Sequence, residues 1–452
     1  MNSIADQTLV DRAVSKSTRR LIPFLLLMYV MSFLDRANIG FAKQALQDAV
    51  GLSDAAFAFG ASIFFIAYVA LEIPSNLAMH KVGARAWMCR IMVTWGIVSA
   101  LTMFVKGPTS FYIIRIFLGA CEAGFFPGVV LYLTYWFPDH RRANVMGLFY
   151  FGAPLSFIFG SPLSGMLLRM DGLLGLAGFQ WMFLLEGLGA TAVGIWAYFY
   201  LDNRPDNAKW LSDDEKRAIN AELGKEQSAK LAHGPHNIAT ALANPTILYF
   251  GLIYFLIQMG VSVVVFYLPT FVGKLLGTAP GPLVGLVVAI PWTCALIATF
   301  VVPRLAAQRR RLALFAAASM IVAALAMSAS TGSSPLLTVV AMCFAVAGLW
   351  AVQPIFWTML TNYVGGIASV LGIALVGTIG NIGNFVSPNV KAWADMKFGS
   401  GVGGLLVLSV VVLFGGILIG LLHRSAHSAA SFEGTGPTEG DIDGTHKRVG
   451  SA

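Results

Sequence analysis

Long apolar runs separated by short polar segments repeat along the whole chain of 452 residues. Runs of about 18 or more apolar residues are typical of membrane-crossing helices, whereas a membrane barrel shows alternating segments of about ten residues. The runs predict twelve spans, near 21–41, 57–79, 86–106, 109–137, 143–168, 179–201, 244–272, 282–302, 312–331, 335–362, 366–390 and 402–422. The predicted fold class is therefore all-α, an integral membrane protein with two six-helix halves.

The polar segments between these runs predict the domain organisation. An N-terminal segment (1–20) precedes the first half (21–201), and a linker loop (202–243) precedes the second half (244–423). Within the linker, Ser212 followed by Glu215 has the spacing of a helix capping box. The tail (424–452) is rich in Gly, Ser, Thr and Asp, and we expect it to be disordered.

Composition agrees with membrane insertion, since 57% of the residues are hydrophobic, 12% are charged and the mean hydropathy is +0.73. The net charge of +8 does not indicate a nucleic-acid partner, because most basic residues lie in short loops on alternate sides of the spans. The bias of Lys and Arg predicts that both termini and the linker are cytoplasmic. No small-residue cleavage site follows the first apolar run, so we interpret it as a retained first span rather than a cleaved leader.

Two spans of the first half contain opposite charges in their interiors. Asp35 and Arg36 lie in the first span, and Arg115 and Glu122 lie in the fourth, whereas the six spans of the second half carry none. Each such group costs about 2.5 to 3.5 kcal/mol at the bilayer centre, so charges that are kept there usually line a water-filled route. At a rise of about 1.5 Å per residue, Asp35 and Arg115 fall at similar depth, and Glu122 falls about 10 Å nearer the cytoplasm. These four residues predict the ion- and substrate-handling centre of a transporter.

Several segments together resemble a known family. They are Leu34 to Gly40 (LDRANIG), Glu72 to Asn76 (EIPSN), Arg115 to Gly128 (RIFLGACEAGFFPG) and Asn203 to Ser212. With the arrangement of six spans, a loop and six spans, they resemble the major facilitator superfamily and, within it, the anion:cation symporter family. The chain looks most like the bacterial tartrate, phthalate and hydroxyphenylacetate permeases of that family.

The resemblance implies roles for the intramembrane charges. Asp35 and Glu122 would carry protons, Arg36 would meet the substrate carboxylate, and Arg115 would pair with Asp35. In the fifth span the sequence departs from the sugar-acid importers of the family, because Ala153 and Pro154 occur where those proteins carry a Gln. This departure favours a less hydroxylated or an aromatic acid.

Four polar or aromatic residues are further candidates for substrate binding. Tyr68 is predicted near the middle of the membrane, where it either binds substrate or packs between helices. Asn381 and Asn384 lie in a glycine-rich segment, where amides either join helices or contact substrate. Trp357 belongs either to the core or to an aromatic wall of the site.

The candidates for gating lie towards the cytoplasmic end. Glu72 precedes Pro74 in the second span and is either a gate or a helix-end contact, and Lys81 and Arg85 follow in the loop between spans two and three. His80 stands where the superfamily usually has an acidic residue before its basic one, so the usual acid-based gating contact is in doubt. We expect Glu186, in the sixth span, to hydrogen-bond a neighbouring helix.

The predicted function is proton-coupled symport of a small organic anion by alternating access. Proton-independent anion exchange is an alternative, and a membrane sensor of organic acids is a less favoured one. The chain shows no combination of nucleophile and base, no HExxH and no GxxxxGK[ST]. We therefore expect no enzyme activity, no cofactor and no metal site, and a protein that acts as a monomer with an organic anion, protons and the lipid bilayer as its partners.

Overall fold

The computed structural model describes residues 2–232, 244–332, 334–363 and 368–433 of the chain. Its long elements are all α-helices. They are α1 (Asn2–Val50), α2 (Asp54–Val82), α3 (Ala84–Leu101), α4 (Pro108–Glu122), α5 (Phe125–Thr134), α6 (Asp139–Tyr150), α7 (Gly152–Leu168), α8 (Gly178–Tyr200), α9 (Asp213–Ala232), α10 (Pro245–Leu276), α11 (Pro282–Gln308), α12 (Leu312–Ala329), α13 (Pro335–Tyr363), α14 (Ala368–Phe398) and α15 (Gly403–Glu433).

The predicted all-α membrane fold is confirmed. Among the described residues, eleven helical stretches are long and apolar enough to cross a membrane, and α14 adds a helix of 31 residues. Helices dominate because the hydrocarbon core offers no partner for backbone N–H and C=O groups, which must therefore bond within each segment. The fourth predicted span consists of α4 and α5, and the fifth consists of α6 and α7.

Two helical halves pack against each other across the middle of the molecule. Helices α1, α2 and α7 of the first half contact α10, α14 and α11 of the second half, respectively. The α7–α11 contact is close enough to need glycine, since a Cβ at Gly285 would lie 2.3 Å from the carbonyl oxygen of Ser161. Small residues at such crossings let membrane helices approach closely.

Helix α9 lies between the halves in sequence but packs against the first half. Its start forms the predicted capping box, since Ser212 N donates to Glu215 Oε2 over 2.9 Å and Glu215 N donates to Ser212 Oγ over 3.3 Å. Lys16 Nζ of α1 lies 2.7 Å from Glu215 Oε1, and Trp210 stacks on Trp136 with ring centroids 5.4 Å apart. The rest of the predicted linker, residues 233–243, lies outside the described residues.

The two terminal segments continue the helices beside them. Helix α1 includes the polar residues of the predicted N-terminal segment. Helix α15 continues through Glu433, so residues 424–433 are helical rather than disordered. The physical reason is composition, since no Gly or Pro interrupts this segment before Gly434. The remainder of the predicted disordered tail, residues 434–452, lies outside the described residues.

Candidate functional site

A cavity of about 600 Å³ lies between the two halves. Its walls come from helices of both halves, including α1, α2 and α5 on one side and α10, α13 and α14 on the other. All five residues predicted to bind substrate line this cavity, and so does Glu72. These five are Arg36, Tyr68, Trp357, Asn381 and Asn384.

The cavity is open at the side of the membrane where α1 begins, here named the terminal side. Ile73 and Asn76, towards the end of α2 on that side, line the cavity, and Ile73 is 66% exposed. At the other end of the same helix the halves touch, since Asn389 Nδ2 donates to Ser62 Oγ over 2.8 Å. Phe57 also contacts Tyr267 across the halves, with ring centroids 6.2 Å apart. The side opposite the terminal side is therefore closed.

Arg36 forms an ion pair with Glu122 at the cavity wall. Its Nη2 lies 2.7 Å from Glu122 Oε1, and Ser32 Oγ donates to the same oxygen over 2.8 Å. The Arg36 side chain is 22% exposed, whereas that of Glu122 is fully buried. The cation therefore faces the cavity and the carboxylate lies behind it.

Side-chain direction explains why these two residues meet although Glu122 is predicted about 10 Å nearer the terminal side than Arg115 and Asp35. Side chains on a helix lean towards its N-terminus. Helices α1 and α4 run in opposite directions across the membrane, so Arg36 leans towards the terminal side and Glu122 leans away from it. The two side chains converge, and the long guanidinium arm covers the remaining distance.

The position of Glu122 also depends on a break in the fourth span. Helix α4 ends at Glu122 and α5 begins at Phe125. Between them Gly124 has a φ of +85°, in the left-handed region, and a Cβ there would lie 2.4 Å from Ser75 Oγ. Both the backbone conformation and the contact with α2 therefore require glycine.

Arg115 does not form the ion pair with Asp35 that the resemblance implies. Its guanidinium donates instead to two backbone carbonyls of α2, from Nη2 to Ala61 O over 3.0 Å and from Nε to Gly60 O over 3.3 Å. It also lies over the ring of Phe64, 5.0 Å from the centroid. The direction of the side chains explains why this expected pair does not form. Asp35 and Arg115 lie at equal depth on antiparallel helices, so their side chains point away from each other along the membrane normal.

Asp35 lies outside the cavity lining, against α3. Ser99 Oγ donates to Asp35 Oδ1, and Asn38 Nδ2 lies 3.4 Å from the same oxygen. Glu186 is hydrogen-bonded to a neighbouring helix as expected, since Ser164 Oγ of α7 donates to its Oε1 over 2.8 Å. Both acids are buried.

The second half contributes uncharged amides to the cavity. Gln353 Nε2 donates to Gln258 Oε1 over 2.9 Å, and Asn384 Nδ2 donates to Asn381 Oδ1 over 3.3 Å. The two asparagines are predicted from the sequence as candidate substrate contacts, whereas the two glutamines are not. The signal was nevertheless present, because a Gln inside an apolar span is as unusual as an Asn there.

Aromatic side chains form much of the remaining wall. Tyr68 is buried with its ring 5.9 Å from the Arg36 guanidinium carbon, and Phe33 lies closer to that carbon, at 5.0 Å. In the second half, Trp357 packs edge-on against Tyr254 with centroids 4.8 Å apart. Tyr68 and Trp357 therefore belong both to the packed core and to the cavity wall, which were the two predicted alternatives for each.

Two of the three predicted gating residues lie away from the cavity. Lys81 is exposed near the end of α2. Arg85 at the start of α3 contacts the end of the first half, since its backbone N donates to Asn203 Oδ1 over 2.9 Å and its guanidinium lies 4.4 Å from the Tyr198 ring centroid. Glu72, by contrast, faces the cavity itself.

The family profile described as Major Facilitator Superfamily matches residues 25–388 of the chain. This match covers most of the chain and agrees with the two helical halves and the cavity between them. The chain belongs to the major facilitator superfamily, and it is a membrane transporter for small organic substrates rather than an enzyme.

Related sequences and solved structures support membership of this family. The chain is 42% identical to the inner membrane transport protein RhmT of Escherichia coli (strain K12) over 411 residues, which are 91% of this chain and 95% of that protein. It is 40% identical to a protein of Agrobacterium vitis named "Putative tartrate transporter" over 92% of this chain and 96% of that protein. A crystal structure of a bacterial homolog to the human lysosomal transporter Spinster, inward-facing and occupied, superposes with a TM-score of 0.70 at 16% identity over 89% of this chain and 96% of that chain, which shows the shared fold.

Proposed function

We propose that the protein imports a small organic carboxylate together with protons across a bacterial inner membrane. The observation that carries the proposal is the Arg36–Glu122 pair, in which a cation faces the cavity and its balancing carboxylate is sealed behind it. The distribution of Lys and Arg in the loops supports a cytoplasmic terminal side. In this proposal the structure is the inward-open state of the carrier.

The ion pair suggests how proton and anion are coupled. In the empty carrier, Arg36 is neutralised by Glu122. A proton on Glu122 would release the guanidinium, which would then bind the substrate carboxylate, a geometry that Arg favours. The Arg36–Glu122 pair is therefore neutral in the empty carrier, and Arg36 with its bound carboxylate is neutral once Glu122 is protonated. Neutrality matters because the closing interface excludes water, and an unpaired charge there would oppose closure.

Asp35 is the proposed second proton site. It lies one residue before Arg36 on α1 and is buried against α3, where Ser99 and Asn38 donate to it. Protonation of Asp35 would change these hydrogen bonds, so the tilt of α1 would depend on whether the proton is bound. Arg115, whose guanidinium is held by α2 carbonyls, contributes a fixed positive charge between α2 and α4.

Alternating access then requires the halves to rock around the cavity. Opening the closed side would break the Asn389–Ser62 hydrogen bond and separate Phe57 from Tyr267. Closing the terminal side would cover Ile73, which lines the cavity and is now exposed.

Uptake into proteoliposomes tests the proposal, with radiolabelled gluconate and tartrate as the first probes. We expect Glu122→Gln and Asp35→Asn to abolish accumulation driven by a pH gradient while sparing counterflow, because the anion site remains. Arg36→Ala should abolish both. Glu186→Gln is the matched control, since it removes a buried intramembrane carboxylate that does not line the cavity.

The same assay separates the alternatives. Normal accumulation by both Glu122→Gln and Asp35→Asn would contradict proton coupling. Uptake by the unmodified protein that does not respond to a pH gradient would favour exchange. Saturable binding without any translocation would favour a sensor.

A further inference from the structure

Two lysines approach the same aromatic ring at the closed side, one from each half of the molecule. Lys43 of α1 has its Nζ 5.1 Å from the centroid of the Tyr267 ring, and Lys391 of α14 has its Nζ 4.4 Å from it. Tyr267 belongs to α10, so the ring shares a half with Lys391 and meets Lys43 across the boundary between the halves. Lys43 and Tyr267 are each 7% exposed, so this contact forms away from bulk water.

Each lysine forms an ion pair with an acid of its own half. Lys43 Nζ lies 2.6 Å from Asp54 Oδ1, and both residues belong to the first half. Lys391 Nζ lies 2.5 Å from Asp395 Oδ2, one turn further along α14. Separation of the halves therefore leaves both ion pairs intact, but it breaks the contact of Lys43 with the Tyr267 ring.

Further hydrogen bonds keep both acids on their own halves. Gln47 Nε2 of α1 donates to Asp54 Oδ1 over 3.1 Å. The backbone N of Gly404, near the start of α15, donates to Asp395 Oδ1 over 2.7 Å. Neither carboxylate can move to the lysine of the other half without losing these bonds. The ion pairs described at this side therefore do not join the halves.

The charges around Tyr267 exert opposing forces across the boundary. The face of an aromatic ring attracts a cation, and this attraction draws Lys43 towards the second half. The ammonium groups of Lys43 and Lys391 repel each other, and this repulsion acts to separate the halves. Two further charged groups lie nearer to water, where solvent and salt screen them, since the Asp54 side chain is 66% exposed and Lys274 of α10 is exposed.

We propose that Tyr267 and the two lysines form a balanced latch for the closed side. Lys43 holds the halves together through the ring, and Lys391 opposes closure from the other half. The balance suits a carrier, because this side must close and reopen in each cycle, and two states that differ little in free energy both stay populated. The inference concerns only the alternation of the halves, so it depends neither on proton coupling nor on the identity of the substrate.

Distances between spin labels across the closed side test the inference. Pulsed electron spin resonance is applied to the full-length protein in lipid nanodiscs without substrate, with the four native cysteines replaced by alanine. Labels at Ala49 of α1 and Met396 of α14, both exposed at this side, report its opening. Labels at Ala49 and Thr109, which both belong to the first half, form the control pair, whose distance should not change.

Two matched substitutions each remove one ammonium group beside the same ring. Lys43→Met should raise the ratio of open to closed molecules about fivefold, because the attraction to the ring is lost. Lys391→Met should lower that ratio about threefold, because the repulsion is lost. Both are also made in Asn389→Ala protein, in which loss of the hydrogen bond to Ser62 populates the open state and makes a shift in either direction measurable. Tyr267→Phe keeps the ring and should leave the ratio unchanged.

A second variant separates the ring contact from the ion pair. Lys43→Met combined with Asp54→Asn should open the closed side as Lys43→Met alone does, because the ring contact rather than the ion pair joins the halves. If Lys43→Met does not fold, which a broadened control distance would reveal, Lys43→Gln takes its place.

The opposite signs of the two lysine substitutions distinguish a latch from ordinary packing. Side chains that only fill space at this side would loosen it in both variants. A shift in the same direction for Lys43→Met and Lys391→Met, or an unchanged ratio in Lys43→Met, overturns the latch. Because no substrate is present, neither result bears on the proposed anion transport, and failure of that proposal in the uptake assay leaves the latch standing.

Discussion

The two halves of the molecule share a six-helix plan but differ in how they face the cavity. The first half presents Arg36, with Glu122 behind it, and Glu72. The second half presents the amides of Gln258 and Gln353, and its predicted spans carry no charged residue. The cost of inserting charges into the membrane therefore falls on one half only.

This division has a mechanical consequence. Moving an ionised group across a drying interface is opposed by desolvation, whereas amides can exchange partners at low cost. Among the described lining residues, the second half presents amides, hydroxyls and aromatic rings but no charge, so it can rock against the charged half without moving charges of its own. In the proposed mechanism, the charge changes that drive transport occur in the first half.

The fourth span shows the same contrast in the backbone. In the first half it is broken at Gly124, directly after Glu122, so that α4 and α5 are separate helices. The corresponding span of the second half is the continuous α13, with Pro354 inside it. The broken span therefore occurs in the half whose fourth span positions a buried carboxylate, that of Glu122.

Removal of the ion pair is the strongest test of this contrast. Arg36→Ala should abolish anion binding, by more than about 100-fold, and should destabilise the protein by about 3 kcal/mol because Glu122 is left buried without its cation. The double variant Arg36→Met with Glu122→Leu should recover stability but not binding. Denaturation in detergent and ligand titration measure the two effects, and recovery of binding by the double variant would refute the role of Arg36.

The break in the fourth span comes next in expected size. Gly124→Ala should destabilise the protein by about 2 kcal/mol or more, because a side chain disfavours the left-handed region and its Cβ would meet Ser75. Gly189→Ala in α8 is the matched control, since a Cβ there meets nothing within 4 Å. Thermal unfolding of both variants is the measurement, and equal melting temperatures would show that the break is not required.

The amide wall should have a smaller effect. The double variant Gln258→Leu with Gln353→Leu should weaken gluconate binding about tenfold and leave stability nearly unchanged, because both partners of one hydrogen bond are removed together. Thr299→Val is the control, since this cavity residue already donates its hydroxyl to Ala295 O over 2.8 Å. Titration of each variant decides, and binding of unaltered strength in the double variant would assign recognition to the first half alone.

The smallest effect concerns helix α9 and the half to which it belongs. Burial raises the pKa of Glu215, but its bonds to Lys16 and Ser212 outweigh this and lower the pKa below its ordinary value of 4.5. The contact therefore stabilises docking of α9 above about pH 4.5 and is lost as the pH falls through the lower, folded-state pKa. Glu215→Gln should remove this dependence and cost about 1 kcal/mol or less, since Lys16 is half exposed.

Hydrogen exchange of the α9 amides as a function of pH measures the effect. Glu222→Gln is the control, because the ion pair that Glu222 forms among the described residues, with Lys225, lies within α9. If the exchange protection of the α9 amides depends on pH in Glu215→Gln as it does in the unmodified protein, another titratable group holds the helix against the first half.

Much of this architecture follows from the sequence alone, because the membrane acts as a simple solvent. Apolar length predicts the spans, and the cost of buried charge singles out Asp35, Arg36, Arg115 and Glu122. Arg36, Tyr68 and the two asparagines, which were candidate substrate contacts from the resemblance and from their polar position in the spans, line the cavity of the structure.

The partners of those residues were decided only by the tertiary structure. Arg36 and Glu122 are 86 positions apart, and whether they meet depends on which helices are neighbours and on the direction in which each side chain leans. The depth of a residue along a span can be counted from the sequence. The neighbour that each helix face contacts, and the direction of the side chains between two helices, cannot. For that reason the sequence did not predict that Arg115 bonds to backbone carbonyls of α2 or that Asp35 lies against α3.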